Sequence, residues 1–162
     1  MVMATLNPTL ANENDRIRRN TSPEILNRID SSIEENVRFY ASQPEDVITR
    51  RVEALEREWS IERWLEANAS SLALSSLLLG VTVSKKWLLL TGGVLGFLLM
   101  HAVQGWCPPL PLLRKLGVRT RSEIEREKYA LKFLRGDFKG IPSDPEELKR
   151  NPMTAVYDAI RL

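Results

Sequence analysis

Cysteine and histidine are almost absent from this chain of 162 residues, which contains one of each, Cys107 and His101. A single cysteine cannot close a disulfide within the chain, so the framework of a small secreted protein is excluded. A structural zinc site needs about four Cys, His or carboxylate ligands. The sequence therefore predicts neither a metal site nor a cofactor. It also contains no glycine-rich phosphate loop and no complete catalytic constellation, so we expect no enzymatic activity of its own.

Neither sign of charge dominates, because the chain contains 23 Lys and Arg residues and 21 Asp and Glu residues. This balance argues against nucleic acid as a partner. The charges are segregated, since Lys85 and Lys86 are the only charged side chains between Ala67 and Leu113. The first twenty residues lack the apolar run of a cleavable signal peptide. We therefore expect the internal apolar block to direct membrane insertion, and we predict a disordered tail over residues 1–20.

Two amphipathic helices are predicted over residues 21–66. Each begins with a proline followed by an acid, Pro23-Glu24 and Pro44-Glu45, a pattern that suits a first helical turn. Both carry apolar stripes at steps of three and four residues: Leu26, Ile29, Ile33, Val37 and Tyr40, then Ile48, Val52, Leu55 and Trp59. The short turn between them predicts an antiparallel cytoplasmic pair. The alternative is that the stripes lie on a membrane surface or bind a partner.

The apolar block predicts an all-α membrane protein with a two-span transmembrane hairpin over residues 67–106. The first span, residues 67–84, contains eighteen uncharged residues, about 27 Å of helix for a hydrocarbon core of about 30 Å. The second span, residues 87–106, is long enough for a full crossing. Aromatic residues concentrate at membrane interfaces, which predicts three anchors: Trp64, Trp87 and Trp106. The sequence leaves open whether the helix before residue 66 continues into the first span.

Small residues at four-residue spacing are expected to hold the spans together, because they let helix backbones approach closely in lipid. They are Ser71, Ser75, Ser76 and Gly80 in the first span and Gly92, Gly93 and Gly96 in the second. We expect the glycine stripe, which also carries Gln104, to pack on the serines of the first span. A weaker alternative is a small transport subunit that oligomerises through Gly92 and Gly96.

Basic residues are concentrated on the outer flanks of the two spans. Only Lys85 and Lys86 lie between the spans, whereas nine lie within about 20 residues of their outer ends, the range over which the positive-inside rule counts such residues: Arg50, Arg51, Arg57, Arg63, Arg114, Lys115, Arg119, Arg121 and Arg126. The positive-inside rule then predicts an inner-membrane protein with both termini in the cytoplasm. Four of the basic residues are predicted to face anionic lipid: Arg114, Lys115, Arg119 and Arg121.

The region over residues 107–140 is predicted to be a proline-rich turn followed by a basic amphipathic helix. Three prolines between Cys107 and Pro111 end the second span, because proline cannot continue a helix. Thr120 and Glu123 have the spacing of a capping box that starts the next helix. We expect that helix either on an anionic membrane surface or packed on the N-terminal pair. Short helices are predicted over residues 141–162.

Cys107 is the main candidate for chemistry. Positive charge on Arg114 and Lys115 would lower the pKa of its thiol and raise its reactivity, while the alternative is that the residue fills space at the end of a span. His101 and Gln104 are candidate intramembrane polar residues. We expect His101 to stay neutral and to bond to a serine or a backbone carbonyl of the first span.

The segment from Trp87 to Phe138 resembles the YgaP-like inner-membrane hairpin family. Gly105, Trp106, Cys107 and Pro108 match the Gly-Trp-Cys-Pro signature that follows the second span in that family. The resemblance implies a bacterial inner-membrane protein of two spans. Some members also carry a rhodanese domain, which moves sulfane sulfur on a catalytic cysteine. The sequence shows no such domain, so the resemblance does not imply sulfurtransferase activity.

These observations favour a membrane anchor or scaffold. We expect it to sit in the lipid bilayer and to hold a membrane or cytoplasmic protein partner, or a second copy of itself. The alternative is a redox or sulfane-sulfur carrier that uses Cys107.

Overall fold

The computed structural model describes residues 15–138, and all regular structure in that range is α-helical. The predicted all-α class is therefore confirmed for this part of the chain. The helices are α1 (Arg16–Arg19), α2 (Pro23–Ala41), α3 (Glu45–Arg57), α4 (Ile61–Thr82), α5 (Trp87–Gln104), α6 (Leu110–Lys115) and α7 (Arg121–Arg135). Residues 1–14 of the predicted tail and the short helices predicted over 141–162 lie outside the described residues.

The chain divides into two compact units. The first unit comprises Met1–Ser31 and Trp59–Glu123, and the second comprises Ser32–Glu58 and Ile124–Leu162. The first unit holds α1, α4, α5 and α6, and the second holds α3. Helices α2 and α7 contribute residues to both units.

Helices α4 and α5 form a helical hairpin within the first unit. Helix α3 does not continue into the first span, because it ends at Arg57 and a new helix begins at Ile61, with Ser60 as its N-cap. The residues from Ile61 to Glu66 belong to this new helix, which continues through the predicted span. The hairpin is closed by a bond between the Ser76 and Thr91 hydroxyls, whose oxygens lie 2.8 Å apart. Near the turn, Gly80 is buried against the Leu88 side chain. Two of the predicted packing residues, Ser76 and Gly80, therefore lie in the helix contact.

The glycine stripe of α5 does not contribute to this contact. A Cβ atom built at Gly92, Gly93 or Gly96 would meet no atom within 4 Å, and all three residues are exposed. Ser71 and Ser75 are exposed as well. The prediction that the glycine stripe packs on the serines of the first span is thus wrong within the chain. The reason is the helix rotation, since the side of α5 that carries Thr91 faces α4.

The outer surface of the hairpin is strongly apolar. No residue of α5 is buried, and among its large apolar side chains Leu89 is 80% and Leu99 66% exposed. On α4, Leu74, Leu78 and Val81 are likewise exposed. Of the helices in residues 15–138, α5 alone is long and apolar enough to cross a membrane by length and composition.

Residues 15–20, predicted to belong to a disordered tail, are ordered. Asp15 caps α1 by accepting hydrogen bonds from the Ile17 and Arg18 amides at 3.0 and 3.1 Å. The Ile17 side chain then enters the apolar core of the first unit, with Ile61, Leu65, Cys107 and Leu110. Burial of one isoleucine among the other core residues fixes a segment whose polar composition suggested disorder.

The second unit buries the apolar stripe of α3. Ile48, Val52 and Leu55 form a core with Ile124 and Leu131 of α7, and Tyr40 packs against it. Beside this core, Arg51 donates two hydrogen bonds to one Glu127 carboxylate oxygen at 2.9 and 2.7 Å. Three of the four predicted stripe residues, Ile48, Val52 and Leu55, are thus packed within the second unit, where α7 provides the other core residues. The fourth, Trp59, is 40% exposed.

Candidate functional site

The end of the hairpin that lies away from the turn carries the candidate residues. Helix α5 ends at Gly105, whose φ of 73° places it in the left-handed region. Helix α1 satisfies the free carbonyls there, because Arg16 Nη1 donates to the Ala102 and Val103 oxygens at 2.7 and 3.2 Å. Asn20 Nδ2 donates to the Gln104 carbonyl at 3.0 Å. A positive side chain at a helix C-terminus also complements the helix dipole.

Gly105 is required at this position for two reasons. Its backbone conformation is one that residues with a Cβ atom adopt at a cost. A Cβ atom would also collide with the Arg16 side chain and backbone. The glycine of the Gly-Trp-Cys-Pro motif is therefore explained by the helix cap and by the close approach of α1.

Cys107 is buried, with 3% of its surface exposed, among Ile17, Ile61, Leu65 and Leu110. Burial raises the pKa of its thiol, and a hydrogen bond from the Leu110 backbone offsets this only in part. The sequence predicted the opposite direction, on the ground of nearby positive charge. That prediction is wrong because burial dominates the surroundings of the thiol, and the nearest arginine in sequence is paired with a carboxylate.

That arginine is Arg114, which was predicted to face lipid and is instead 1% exposed. Its Nη1 and Nη2 atoms donate to the two Glu123 carboxylate oxygens, each at 2.8 Å, and its Nε donates to Thr21 Oγ1 at 3.0 Å. The lipid-facing role is therefore wrong for Arg114. The bidentate pair satisfies the guanidinium inside the protein, and its burial keeps it from contact with lipid.

Glu123 binds a second arginine. Arg18 Nη1 donates to Glu123 Oε1 at 2.5 Å, and Arg18 Nη2 donates to Asp30 Oδ2 at 2.7 Å. Arg18, Asp30, Arg114 and Glu123 together form what we call the buried ionic cluster, in which two positive and two negative groups balance. Arg18 and Asp30 were not among the predicted site residues, and Arg18 lay in the predicted tail. The Asp15 cap before Ile17 was the signal of an ordered segment.

Glu123 also completes the predicted capping box. The Thr120 amide donates to Glu123 Oε2 at 2.8 Å, and the Glu123 amide donates to Thr120 Oγ1 at 3.3 Å. Burial alone would raise the pKa of Glu123. The hydrogen bonds and charge of Arg114, with the Thr120 amide and the Arg18 charge, outweigh burial and hold the pKa below its ordinary value. The capping box is confirmed, and its carboxylate is charged.

The other basic residues of the predicted lipid-facing group differ in their surroundings. Lys115 is exposed, and its carbonyl accepts a hydrogen bond from Arg28 Nη2 at 3.2 Å. Arg119 is half-buried, and its carbonyl accepts from the Ile61 amide at 2.9 Å. Arg121 is exposed. Their role toward lipid stays a prediction, as does the anchoring role of Trp64, Trp87 and Trp106, each exposed by about two-fifths.

A cavity of about 210 Å³, the hairpin cavity, lies between α4 and α5 at this end. Its walls are mainly apolar: Leu65, Ala69, Leu72, Val94, Phe97 and Leu98. Asn68, His101 and Cys107 also line it. The structure thus brings the two candidate residues of the sequence, His101 and Cys107, to one cavity. Gln104 is exposed and does not line it.

His101 Nδ1 is buried and has no hydrogen-bond partner in the described part of the chain. The expected bond to a serine or carbonyl of the first span is not formed by this nitrogen. Within residues 15–138, no group of three or more His, Cys, Asp and Glu side chains is placed to hold a metal ion.

Comparisons with protein-family models, with curated proteins and with solved structures found no match to this chain.

Proposed function

We propose that this protein is a non-enzymatic anchor or scaffold of the bacterial inner membrane. In this proposal α4 and α5 cross the bilayer as a hairpin, both ends of the chain lie in the cytoplasm, and the remaining helices hold a protein partner or a second copy. The resemblance around the Gly-Trp-Cys-Pro motif, at Gly105 to Pro108, agrees with this assignment.

The observation that carries the proposal is the exposed apolar surface of α5. Its eighteen residues include no Asp, Glu, Lys or Arg, and none of the eighteen is buried. Monomeric soluble proteins rarely expose contiguous apolar patches beyond a few hundred Å². A bilayer removes this surface from water, which is favourable by about 25 cal/mol of free energy for each Å² of apolar surface.

Helix α4 is more polar, and its hydroxyl groups bear on whether it can share the bilayer. Three exposed hydroxyls donate to carbonyls one turn earlier in the same helix: Ser71 to Ala67 at 2.7 Å, Ser75 to Ser71 at 2.8 Å, and Thr82 to Leu78 at 2.7 Å. Polar groups satisfied inside the helix cost less in hydrocarbon than unpaired ones. This supports a crossing by α4 that its composition alone leaves marginal.

Labelling of single cysteines in cells tests the topology. In a Cys107→Ser background, Ser84→Cys lies in the exposed hairpin turn and Ser42→Cys lies in the exposed turn after α2. An impermeant maleimide should label Ser84→Cys on intact cells and Ser42→Cys only after permeabilisation. Carbonate extraction should leave the chain in the membrane pellet. Release by carbonate, or equal labelling of both cysteines on intact cells, would rule out the hairpin.

The burial of Cys107 favours the anchor over the thiol-carrier alternative. A protonated, enclosed thiol is a poor nucleophile. We expect maleimide to modify Cys107 at neutral pH much more slowly than it modifies Ser42→Cys in permeabilised cells. Comparable rates would favour the carrier and count against the anchor.

The scaffold role requires a partner. Purification of the full chain in mild detergent should yield a stoichiometric complex with another protein or a defined homo-oligomer. Gly96→Leu tests the transport-subunit alternative, because that residue is exposed and available to a second copy. A chain that is recovered only as a monomer with lipid would contradict the scaffold role.

A further inference from the structure

The hairpin cavity has the properties of a binding site for a small molecule. It is larger than the engineered cavity of about 150 Å³ that admits benzene, and it lies wholly within the first unit. Among residues 15–138, no Asp, Glu, Lys or Arg lines the cavity. An unpaired charge would be costly in such surroundings, so the site suits a neutral molecule with an apolar body.

A buried, unpaired nitrogen in the wall of the cavity could fix the orientation of a bound molecule. His101 lines the cavity, and its Nδ1 is buried without a partner among the described residues. A buried polar atom left unpaired costs about 1–3 kcal/mol. A hydroxyl group can pair with this nitrogen in either imidazole tautomer, because a hydroxyl both donates and accepts.

We propose that the hairpin cavity binds a small, neutral, lipid-soluble molecule whose single hydroxyl bonds to His101 Nδ1 and whose apolar body lies against Ala69, Val94 and Phe97. This inference stands on the cavity and does not depend on the anchor role. It gives the chain a ligand, which an anchor alone would not require.

The single histidine makes the test direct, since its imidazole gives one set of NMR signals. The full chain, labelled with ¹³C,¹⁵N-histidine and purified in mild detergent, is titrated with 4-ethylphenol and with 4-ethyltoluene, which has nearly the same shape and no hydroxyl. The phenol should shift the His101 ring signals to saturation. The hydrocarbon should bind about three- to tenfold more weakly, the ratio expected for one lost hydrogen bond.

Matched variants locate the site. Ala69→Leu fills the cavity and should abolish the saturable shift, whereas Ala102→Leu makes the same change at an exposed position on α5 and should preserve it. Val94→Phe narrows the cavity from α5 and should act like Ala69→Leu, which guards against misfolding of one variant. A linear shift without saturation, equal affinity for both compounds, or unchanged binding in both cavity variants would overturn the proposal.

Discussion

At the scale of single residues, Glu123 combines two structural roles. Its carboxylate caps the start of α7 and pairs with Arg114 and Arg18. The spacing between Thr120 and Glu123 predicted the helix cap. The pairing of Glu123 with the two arginines was not predicted from the sequence. One side chain thus holds a helix start, α6 and α1 together within the first unit.

We predict that Glu123→Gln is strongly destabilising. The amide preserves the shape but leaves two buried guanidinium groups without their shared countercharge, which costs about 3–5 kcal/mol. Glu53→Gln is the control, because Glu53 belongs to an exposed pair with Arg57, and such pairs contribute less than about 1 kcal/mol. Thermal denaturation in mild detergent measures both, and similar losses in the two variants would contradict the prediction.

Acid should weaken the first unit through the same carboxylate. The pKa of Glu123 is lowered from 4.5 in the folded protein, so the unfolded chain takes up the proton first as the pH falls. The stabilisation is fully present above about pH 4.5 and is lost between that value and the lower folded pKa. The stability difference between wild type and Glu123→Gln should therefore shrink below pH 4.5. A difference that is constant from pH 6 to pH 3.5 would exclude this origin.

A comparison of substitutions at Gly105 and Gly117 distinguishes the cost of a strained backbone from the cost of a steric collision. Both have positive φ, 73° and 82°, but only Gly105 lies against Arg16, and Gly117 has open space around it. Gly117→Ala should cost about 1–2 kcal/mol for the left-handed backbone alone. Gly105→Ala should cost more, since α1 must also move. Equal shifts in melting temperature would show that the contact with α1 contributes nothing.

At the scale of elements, the face of α5 that contacts α4 decides which substitutions the hairpin tolerates. Gly80→Leu should disrupt helix packing, because even a Cβ atom there collides with Leu88. Gly92→Leu should leave the packing intact, since its surroundings are open. Resistance to thermal unfolding in detergent reports the difference. If Gly92→Leu proves as damaging as Gly80→Leu, the described contact face is wrong.

The elements themselves followed closely from the sequence. The proline starts, the capping box at Thr120 and the cluster of prolines after Trp106 each predicted a boundary that the structure has within a few residues. Such signals are local, because they depend on backbone amides within one turn. The rotation of α5 against α4 was predicted wrongly, since small residues mark several faces of these helices. The face in use is identified by contacts between the helices, the Ser76–Thr91 bond and the approach of Leu88 to Gly80.

At the scale of the whole molecule, membrane integration should depend on the apolar surface of α5. Leu95→Arg places a charge at mid-helix on an exposed residue, at a cost of ~2.5–3.5 kcal/mol in a bilayer. We expect it to lower the fraction of chain that resists carbonate extraction. Leu112→Arg makes the same change at an exposed residue of α6 and should not. Equal retention of the two variants would argue against a bilayer around α5.

The helical class, the long apolar block and most of the helix boundaries followed from the sequence, because these depend on composition and on neighbours within one turn. Helix α1 and the start of α4 at Ile61 did not follow from it. The tertiary structure decided which charges are paired and which polar groups share a cavity. Arg114 was predicted to meet lipid, yet a carboxylate nine residues away and the distant Thr21 hold it in the core. Likewise, folding brings His101 and Cys107 to one cavity, because the turn at Gly105 returns the chain beside α4. Burial and pairing depend on contacts between distant residues, which spacing along the chain does not encode.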